Sequence, residues 1–308
     1  MVELAFETNA GLLPSILPSE EIDTGLRSVY LGDLIALKER IPSIKFGKDF
    51  PLSHRPYILT VRSSKHWSFV KRTNKQNKLK LNTLVGQKVV DCDMFKSIVD
   101  AFNPRYIEVP CQSVAVAKSF SKAHVFNAHW LKFCMDSFDK ERLIVPLNCI
   151  DHEQSISTAC RILVDHDVSG VAGFSFSTLN YTESVDAACE LFERLKEFVG
   201  QYPDTLLFYP GTCPPSRLPR LIAAGFNTFV VDPSEQMRKG MILCGAEEIS
   251  VYTLSNMDKL PAIRECSCPT CAKEHGGAFL HHLYHTHEML FETLAMQHNI
   301  QQVCDLCL

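Results

Sequence analysis

No stretch of the 308-residue sequence approaches the roughly 20 consecutive apolar residues of a membrane-spanning helix, so an integral helical membrane protein is not expected. Met1 to Glu7 is acidic and carries neither a basic run nor a long apolar one, so no secretory leader is expected either. Charge of one sign is not in excess. Lys and Arg total 31 against 35 Asp and Glu, for a formal charge of -4 and a pI near 6.3. That balance excludes a global electrostatic footprint for nucleic acid, so any RNA contact must come from a local patch or through a partner. At 46% hydrophobic and 21% charged, the composition excludes disorder and fibre and can fill one large core or two smaller ones.

Cysteine, by contrast, is plentiful, with 13 residues. Without a leader the expected compartment is the cytosol, where thiols stay reduced. Cys92, Cys134, Cys160, Cys189 and Cys244 sit in apolar stretches and suit small buried side chains. A different pattern occupies Cys266-Ser267-Cys268-Pro269-Thr270-Cys271, followed after 26 residues by His298. Three thiols within six positions and an imidazole beyond an apolar helical segment are the ligand types of a tetrahedral structural Zn2+ site. Clustered intracellular cysteines are more often metal ligands than accident.

Backbone reach constrains this reading, because Gly277 to His298 as one straight helix would span about 33 Å and strand His298 away from the thiols. A break is expected at Thr286-His287-Glu288, with Thr286 capping a second helix and Glu288 in its first turn. Two antiparallel helices would then return His298 to the cysteines. His275, His281, His282, His285 and His287 compete for the fourth position, and spacing alone does not choose among them.

Along the rest of the chain, residues 1 to 27 read as an irregular lead-in, with Pro14, Pro18 and scattered charges. Tyr30 to Ile41 has helical spacing, and Arg55 to Val61 reads as a buried strand. Lys65 to Lys80 mixes Lys65, Lys71, Arg72, Lys75, Lys78 and Lys80 with His66, Trp67 and Phe69, a combination that can track a phosphate backbone and stack bases. A solvated surface hairpin accounts for the same residues equally well. Beyond Val85 the pattern alternates. Strands are expected at 106–109, 143–146, 170–174, 205–209 and 228–231, and helices at 92–102, 113–121, 124–138, 154–164, 183–199 and 215–224.

Short, nearly all-apolar strands separated by amphipathic helices predict an α/β fold with a covered parallel sheet. The repeat number, and the absence of a Gly-rich phosphate fingerprint after the first strand, favour a TIM-type (β/α)8 barrel over an open sheet. Barrel chemistry sits at the C-terminal strand ends, which makes Arg62, Ser63, Cys111, Gln112, Asn148, Cys149, Ser175, Gly211, Thr212 and Asp232 the positions to inspect.

At Ala278-Phe279-Leu280-His281-His282-Leu283 and Gln297-His298-Asn299, after the Cys-x-Cys-x-x-Cys cluster, the sequence resembles the tRNA-guanine transglycosylase family. Members exchange a guanine in the tRNA anticodon for queuine or its precursor. The resemblance implies one structural Zn2+ held by Cys266, Cys268, Cys271 and His298, and so selects His298 among the competing histidines. Weaker likeness extends to Arg55-Pro56-Tyr57-Ile58-Leu59-Thr60 and Gly225-Phe226-Asn227-Thr228-Phe229.

Departures from the family pattern bear on activity. Where catalytic members carry an aspartate and a Ser-Gly-Gly-Phe-Gln run, this chain reads Val61-Arg62-Ser63-Ser64-Lys65-His66. Leu147 stands where they place a base-recognising aspartate, and Ala172-Gly173-Phe174-Ser175-Phe176-Ser177 replaces their Gly-Gly-Leu-Ala-Val-Gly-Glu loop. The nucleophilic aspartate after phenylalanine is Val230, which can neither attack an anomeric carbon nor stabilise an oxocarbenium-like centre. Asp232 lies two residues on, roughly 6.6 Å further along a strand, and a capping role before Pro233 suits it better.

The expectation is therefore a transglycosylase-like barrel over 1–260 and a zinc-binding segment over 261–308, without catalytic residues of its own. The resemblance implies heterodimerisation with a catalytic queuine tRNA-ribosyltransferase subunit, tRNA as the substrate of the complex, no integral membrane segment, and a cytoplasmic location that leaves peripheral attachment to the mitochondrial outer membrane open. An active enzyme using Asp232, and a zinc-stabilised RNA-binding protein without an enzyme partner, are the alternatives. Cys304 and Cys307 read as a second thiol pair or a variant end, and two such cysteines more often do nothing than bind a metal.

Overall fold

The computed structural model of the chain describes residues 2–8, 26–40, 56–61, 71–72, 77–83, 85–112, 119–149, 153–176, 184–253, 266–273 and 275–307. Its first half contains β1 (Glu3–Glu7), β2 (Leu26–Tyr30), α1 (Leu31–Arg40), β3 (Tyr57–Thr60), β4 (Lys71–Arg72), β5 (Leu79–Thr83), β6 (Gly86–Val90), α2 (Cys92–Phe102), β7 (Tyr106–Glu108), α3 (Phe120–Ser137) and β8 (Leu143–Pro146). The second half continues with α4 (Glu153–Asp165), β9 (Gly173–Ser175), α5 (Val185–Val199), β10 (Leu206–Thr212), α6 (Leu218–Ala224), β11 (Thr228–Val231), α7 (Pro233–Arg238), β12 (Met241–Cys244) and β13 (Glu247–Ser250). Three helices end it: α8 (Pro269–Ala272), α9 (Gly277–His285) and α10 (Met289–Asp305).

Eight strands close into a barrel in the order β1-β11-β10-β9-β8-β7-β3-β2, every neighbouring pair parallel. Strands such as Tyr57–Thr60, Leu143–Pro146 and Thr228–Val231 are buried at every residue because one face fills the barrel and the other lies under helices. Ala5, Leu26, Ile58, Ile144, Phe208 and Val230 form the inner apolar cluster. Gly173 lets β9 approach β10 closely, since a Cβ there would meet the Leu206 carbonyl oxygen at 2.2 Å.

Local chemistry sets the helix ends. Asp91 accepts from the Met94 amide to start α2, and Asn103 ends it in the left-handed region at φ 44°. The Ser184 hydroxyl accepts from the Ala187 amide to start α5. At the other end of the chain, α10 closes the barrel's outer layer, with Met296, Ile300 and Val303 packed into the same core as Phe6, Val29 and Phe229.

The barrel expectation holds, with local corrections. The lead-in read as irregular supplies two barrel strands, β1 and β2, because Leu4-Ala5-Phe6 and Val29-Tyr30 find neighbours on both sides that proline and charge counts do not reveal. The strand expected from Gly170 begins at Gly173 instead, since Gly170 turns at φ 79°. Thr286 ends α9 rather than starting α10: its amide and hydroxyl both donate to the His282 carbonyl, and Glu288 occupies the cap position of the second helix without a side-chain cap. Most of the 65–80 segment lies outside the described residues, as does 113–118 of the helix expected there. Of the basic segment, Lys71–Arg72 and the start of β5 at Leu79 are strand, with β4, β5 and β6 forming an antiparallel sheet.

Candidate metal centre and barrel mouth

Cys266, Cys268, Cys271 and His298 converge, each offering one ligand atom, and these atoms all lie within 4.8 Å of one another. The break at 286–288 makes this possible by separating α9 from α10, with His287 in the left-handed region at φ 56°. His298 Nδ1 lies 3.6 Å from the Cys268 sulfur and 3.3 Å from that of Cys271. Zinc bonds of about 2.3 Å to sulfur and about 2.0–2.1 Å to nitrogen make tetrahedral edges of about 3.5–3.8 Å, so the donor set fits such an ion with small adjustments.

Backbone amides support the sulfurs. The Cys268 amide donates to Cys266 Sγ at 3.5 Å and the Cys271 amide to Cys268 Sγ at 3.4 Å. The Cys271 thiol hydrogen bond to Cys268 pulls the Cys268 thiol well below its ordinary range, against the opposing effect of burial. His298 is raised to about 9: burial opposes its charge, but hydrogen bonds with Cys266 and Cys268 and with the Leu243 carbonyl outweigh it. The hydrogen bond between Cys271 and Cys268, with burial, pushes the Cys271 thiol up, so a cation entering beside the Cys268 sulfur would have to displace the Cys271 proton.

His298 Nε2 lies 2.8 Å from the Leu243 carbonyl oxygen and donates to it, which turns Nδ1 toward the thiols, where an entering metal ion would displace the Nδ1 proton. Asn299 holds the same hairpin, accepting from the Leu243 amide at 2.9 Å and donating to the Met241 carbonyl at 3.2 Å. Gln302 accepts from the Gly245 amide at 2.8 Å. Thr270 donates to the Leu294 carbonyl at 2.8 Å and ties α8 to α10. Gly240 lets the hairpin sit against α9, because a Cβ there would meet the Tyr284 ring at 2.7 Å. Sequence reasoning did not single out β12, β13 or Asn299; the Gln-His-Asn triplet was the one available signal.

At the barrel mouth the inspected positions are largely bound to structure. Thr212 donates to the Glu7 carboxylate, and Ser175 donates to Glu108 Oε1 at 3.0 Å while the Val61 amide donates to Glu108 Oε2 at 3.3 Å. Both glutamates are buried. They went unremarked in the sequence because Glu7 lay in the supposed lead-in and Glu108 in an apolar strand, where a lone carboxylate was the signal to read.

Gln112 is clamped by Asn127, whose Oδ1 accepts from its amide at 2.7 Å and whose Nδ2 donates to its carbonyl at 3.1 Å. Asn148 donates to that carbonyl too. Cys111 and Cys149 are buried. Gly211, at φ 79°, falls where the β10–β11 register shifts, and Arg62 and Ser63 lie outside the described residues. Asp232 caps α7, with Oδ1 accepting from the Ser234 amide at 3.1 Å and from its hydroxyl. Arg238 approaches its Oδ2 at 3.5 Å. Val230 is 4% exposed and packs in the inner cluster.

A profile of the family described as queuine tRNA-ribosyltransferase matches residues 89–307. The chain is 30% identical over 147 residues to a queuine tRNA-ribosyltransferase of Solibacter usitatus, covering 47% of this chain and 37% of that protein. It is 29% identical over 153 residues to the one of Desulforapulum autotrophicum, covering 49% and 40%. Over 43 residues it is 56% identical to queuine tRNA-ribosyltransferase accessory subunit 2 of Drosophila erecta, covering 14% of this chain and 10% of that protein. The matched region is thus less than half the length of either bacterial relative.

Proposed function

Because the chain belongs to the queuine tRNA-ribosyltransferase family, we propose that it works as the non-catalytic member of a heterodimer, in the manner of accessory subunit 2, supporting exchange of guanine for queuine at the wobble position of tRNA. The observation that carries this reading is Val230. It stands where catalytic members place their nucleophile, and it is buried among Ala5, Ile58 and Phe208 on the inner face of the barrel. Among the described residues the nearby carboxylates are committed elsewhere: Asp232 to the cap of α7, Glu108 to Ser175 and the Val61 amide, and Glu7, on the neighbouring strand β1, to Thr212. Glycosyl exchange through a covalent intermediate requires a carboxylate within reach of the anomeric carbon.

The partner is the catalytic queuine tRNA-ribosyltransferase subunit. Support comes from the exposed apolar side chains. Among the described residues, those other than valine are Tyr252, Phe279, Met289 and Leu290, all between the β12–β13 hairpin and the start of α10. Exposed aromatic and Met side chains gathered on one segment are what an interface uses.

One Zn2+ bound by Cys266, Cys268, Cys271 and His298 supplies the clamp that holds this segment. Four protein ligands leave no open position for substrate or activated water, so the ion is structural. Residues 261–308 form the zinc-binding unit and residues 1–260 the barrel unit it packs upon. The working location is the cytoplasm, with peripheral attachment to the mitochondrial outer membrane compatible with a chain in which no described helix is long and apolar enough to cross a membrane.

The deciding experiment incubates the purified chain with tRNA and labelled queuine, alone and with the catalytic subunit. Exchange only in the mixture is expected. Exchange by this chain alone would restore the active-enzyme reading, and stable tRNA binding with no paralogue in the purified complex would favour the zinc-stabilised RNA-binding protein.

A further inference from the structure

Outside the Cys3His cluster, α9 carries a second convergence of ligand-type side chains. His281 and His285 lie four residues apart and therefore on one helix face, and their ring centroids are 4.1 Å apart. The two rings are oriented by different neighbours. His281 Nδ1 lies 2.7 Å from the Val251 carbonyl oxygen, so its proton sits on Nδ1 and its Nε2 carries the lone pair. Val251 is itself fixed, because its amide donates to the Gly240 carbonyl at 2.9 Å. Tyr252 walls the other ring, its centroid 5.1 Å from that of His285 at an interplanar angle of 35°.

We propose that His281 and His285 form a second metal site, on the surface, for a borderline divalent transition-metal ion such as Zn2+ or Ni2+. Two imidazoles on successive turns can aim one nitrogen each at a common point, the arrangement that helical His pairs use to hold zinc. A carbonyl accepting from the far nitrogen of a ligating histidine is the usual support for its orientation, and the Val251 carbonyl supplies it here. His285 is exposed and His281 half-buried, so the ion would enter from solvent and complete its coordination with water. Protein ligation by nitrogen alone, completed by water, distinguishes this site from the sulfur-rich one, which prefers softer ions.

The test is a calorimetric titration of the zinc-loaded full chain with Ni2+. One further equivalent is expected to bind. It should disappear in His285→Ala and persist in His282→Ala, a neighbour outside the pair, with zinc content and circular dichroism unchanged in both. His281→Ala is the less useful variant, because it also releases the Val251 carbonyl. Failure of the unaltered chain to take a second equivalent would overturn the proposal. So would a second equivalent that survives His285→Ala, which would place the ion elsewhere, for instance at Cys304 and Cys307, or one that vanishes in His282→Ala.

Discussion

The His298 imidazole reaches across to the Leu243 carbonyl at 2.8 Å and so joins the metal cluster to the β12–β13 hairpin. Its other nitrogen faces Cys268 and Cys271, which makes this one ring the link between an ion-binding cluster and a hairpin that Asn299 and Gln302 also grip. The terminal segment is thereby a single unit cross-braced around the Cys3His cluster.

Cys268→Ser is accordingly expected to lose zinc and partner binding together. Cys268 has the thiol most disposed to ionise, and binding of this type contributes on the order of 10 kcal/mol to local folding. Metal analysis of the purified variant, paired with co-purification of the catalytic subunit, checks this. A zinc-free variant that still assembled a working heterodimer would show that the clamp is dispensable for association.

Asn299→Ala separates the hairpin from the metal. Asn299 is fully buried, and the change leaves the Leu243 amide and the Met241 carbonyl without their partner. A stability loss of about 1–3 kcal/mol is expected, with zinc retained. Chemical denaturation and metal content together read this out; an unchanged midpoint would mean that the His298 and Gln302 contacts hold the hairpin unaided.

The barrel was legible where periodicity dominates, as at Cys92–Phe102, Leu143–Pro146 and Thr228–Val231. It was illegible at Glu3–Glu7 and Leu26–Tyr30, whose strand character depends on pairing with partners as distant as Thr228. The three thiols were legible from their spacing and the helix break from chain geometry, whereas His298 was singled out among the competing histidines only by the family resemblance. Hairpin, amide and carbonyl supports were not, since a backbone partner such as the Leu243 carbonyl has no side-chain signature. Thr286 shows the same limit in small: a threonine between two helices can end one or begin the next, and the positive φ of His287 accompanies the first choice.

Asp91 offers a pH-dependent check on the outer layer. Its carboxylate accepts from the Met94 amide at 3.1 Å and lies 3.4 Å from Lys78 Nζ, and the amide bond first, then the lysine, hold its pKa below the ordinary value against slight burial. A depressed folded value means stability present above the unfolded value near 3.9 and lost as pH falls through the folded one. Asp91→Ala should cost about 1 kcal/mol at pH 7. That gap should narrow in acid as the natural side chain protonates. A gap of equal size at pH 7 and pH 3 would deny the carboxylate its role.

For the basic segment, the described part pairs Lys71 with Lys80 and Arg72 with Leu79 across an antiparallel ladder. If this sheet touches tRNA in the complex, neutralising Lys71, Arg72 and Lys75 should weaken binding and flatten the dependence of log K on log salt. The slope should fall by about 0.9 for each duplex phosphate that is no longer neutralised, or by about 0.7 for each single-stranded one. Affinity measured across a salt series decides the matter. An unchanged slope returns the segment to the solvated surface.

Val230→Asp tests the proposed absence of catalysis directly. Position 230 lies in the inner apolar cluster at 4% exposure, so an aspartate there loses hydration and meets Ala5 and Phe208 rather than donors. A cost of at least about 1–3 kcal/mol is expected, together with a raised carboxyl pKa. Exchange of labelled queuine into tRNA by the variant alone should stay at background. A nucleophile also needs base recognition, and on the proposed reading Leu147, buried just past β8, takes the place of the family's recognising aspartate. Folding of the variant is monitored by its zinc content and thermal midpoint, so that inactivity is not confused with collapse. Measurable exchange by a folded Val230→Asp chain would show that the rest of the pocket is intact and that one substitution silenced it.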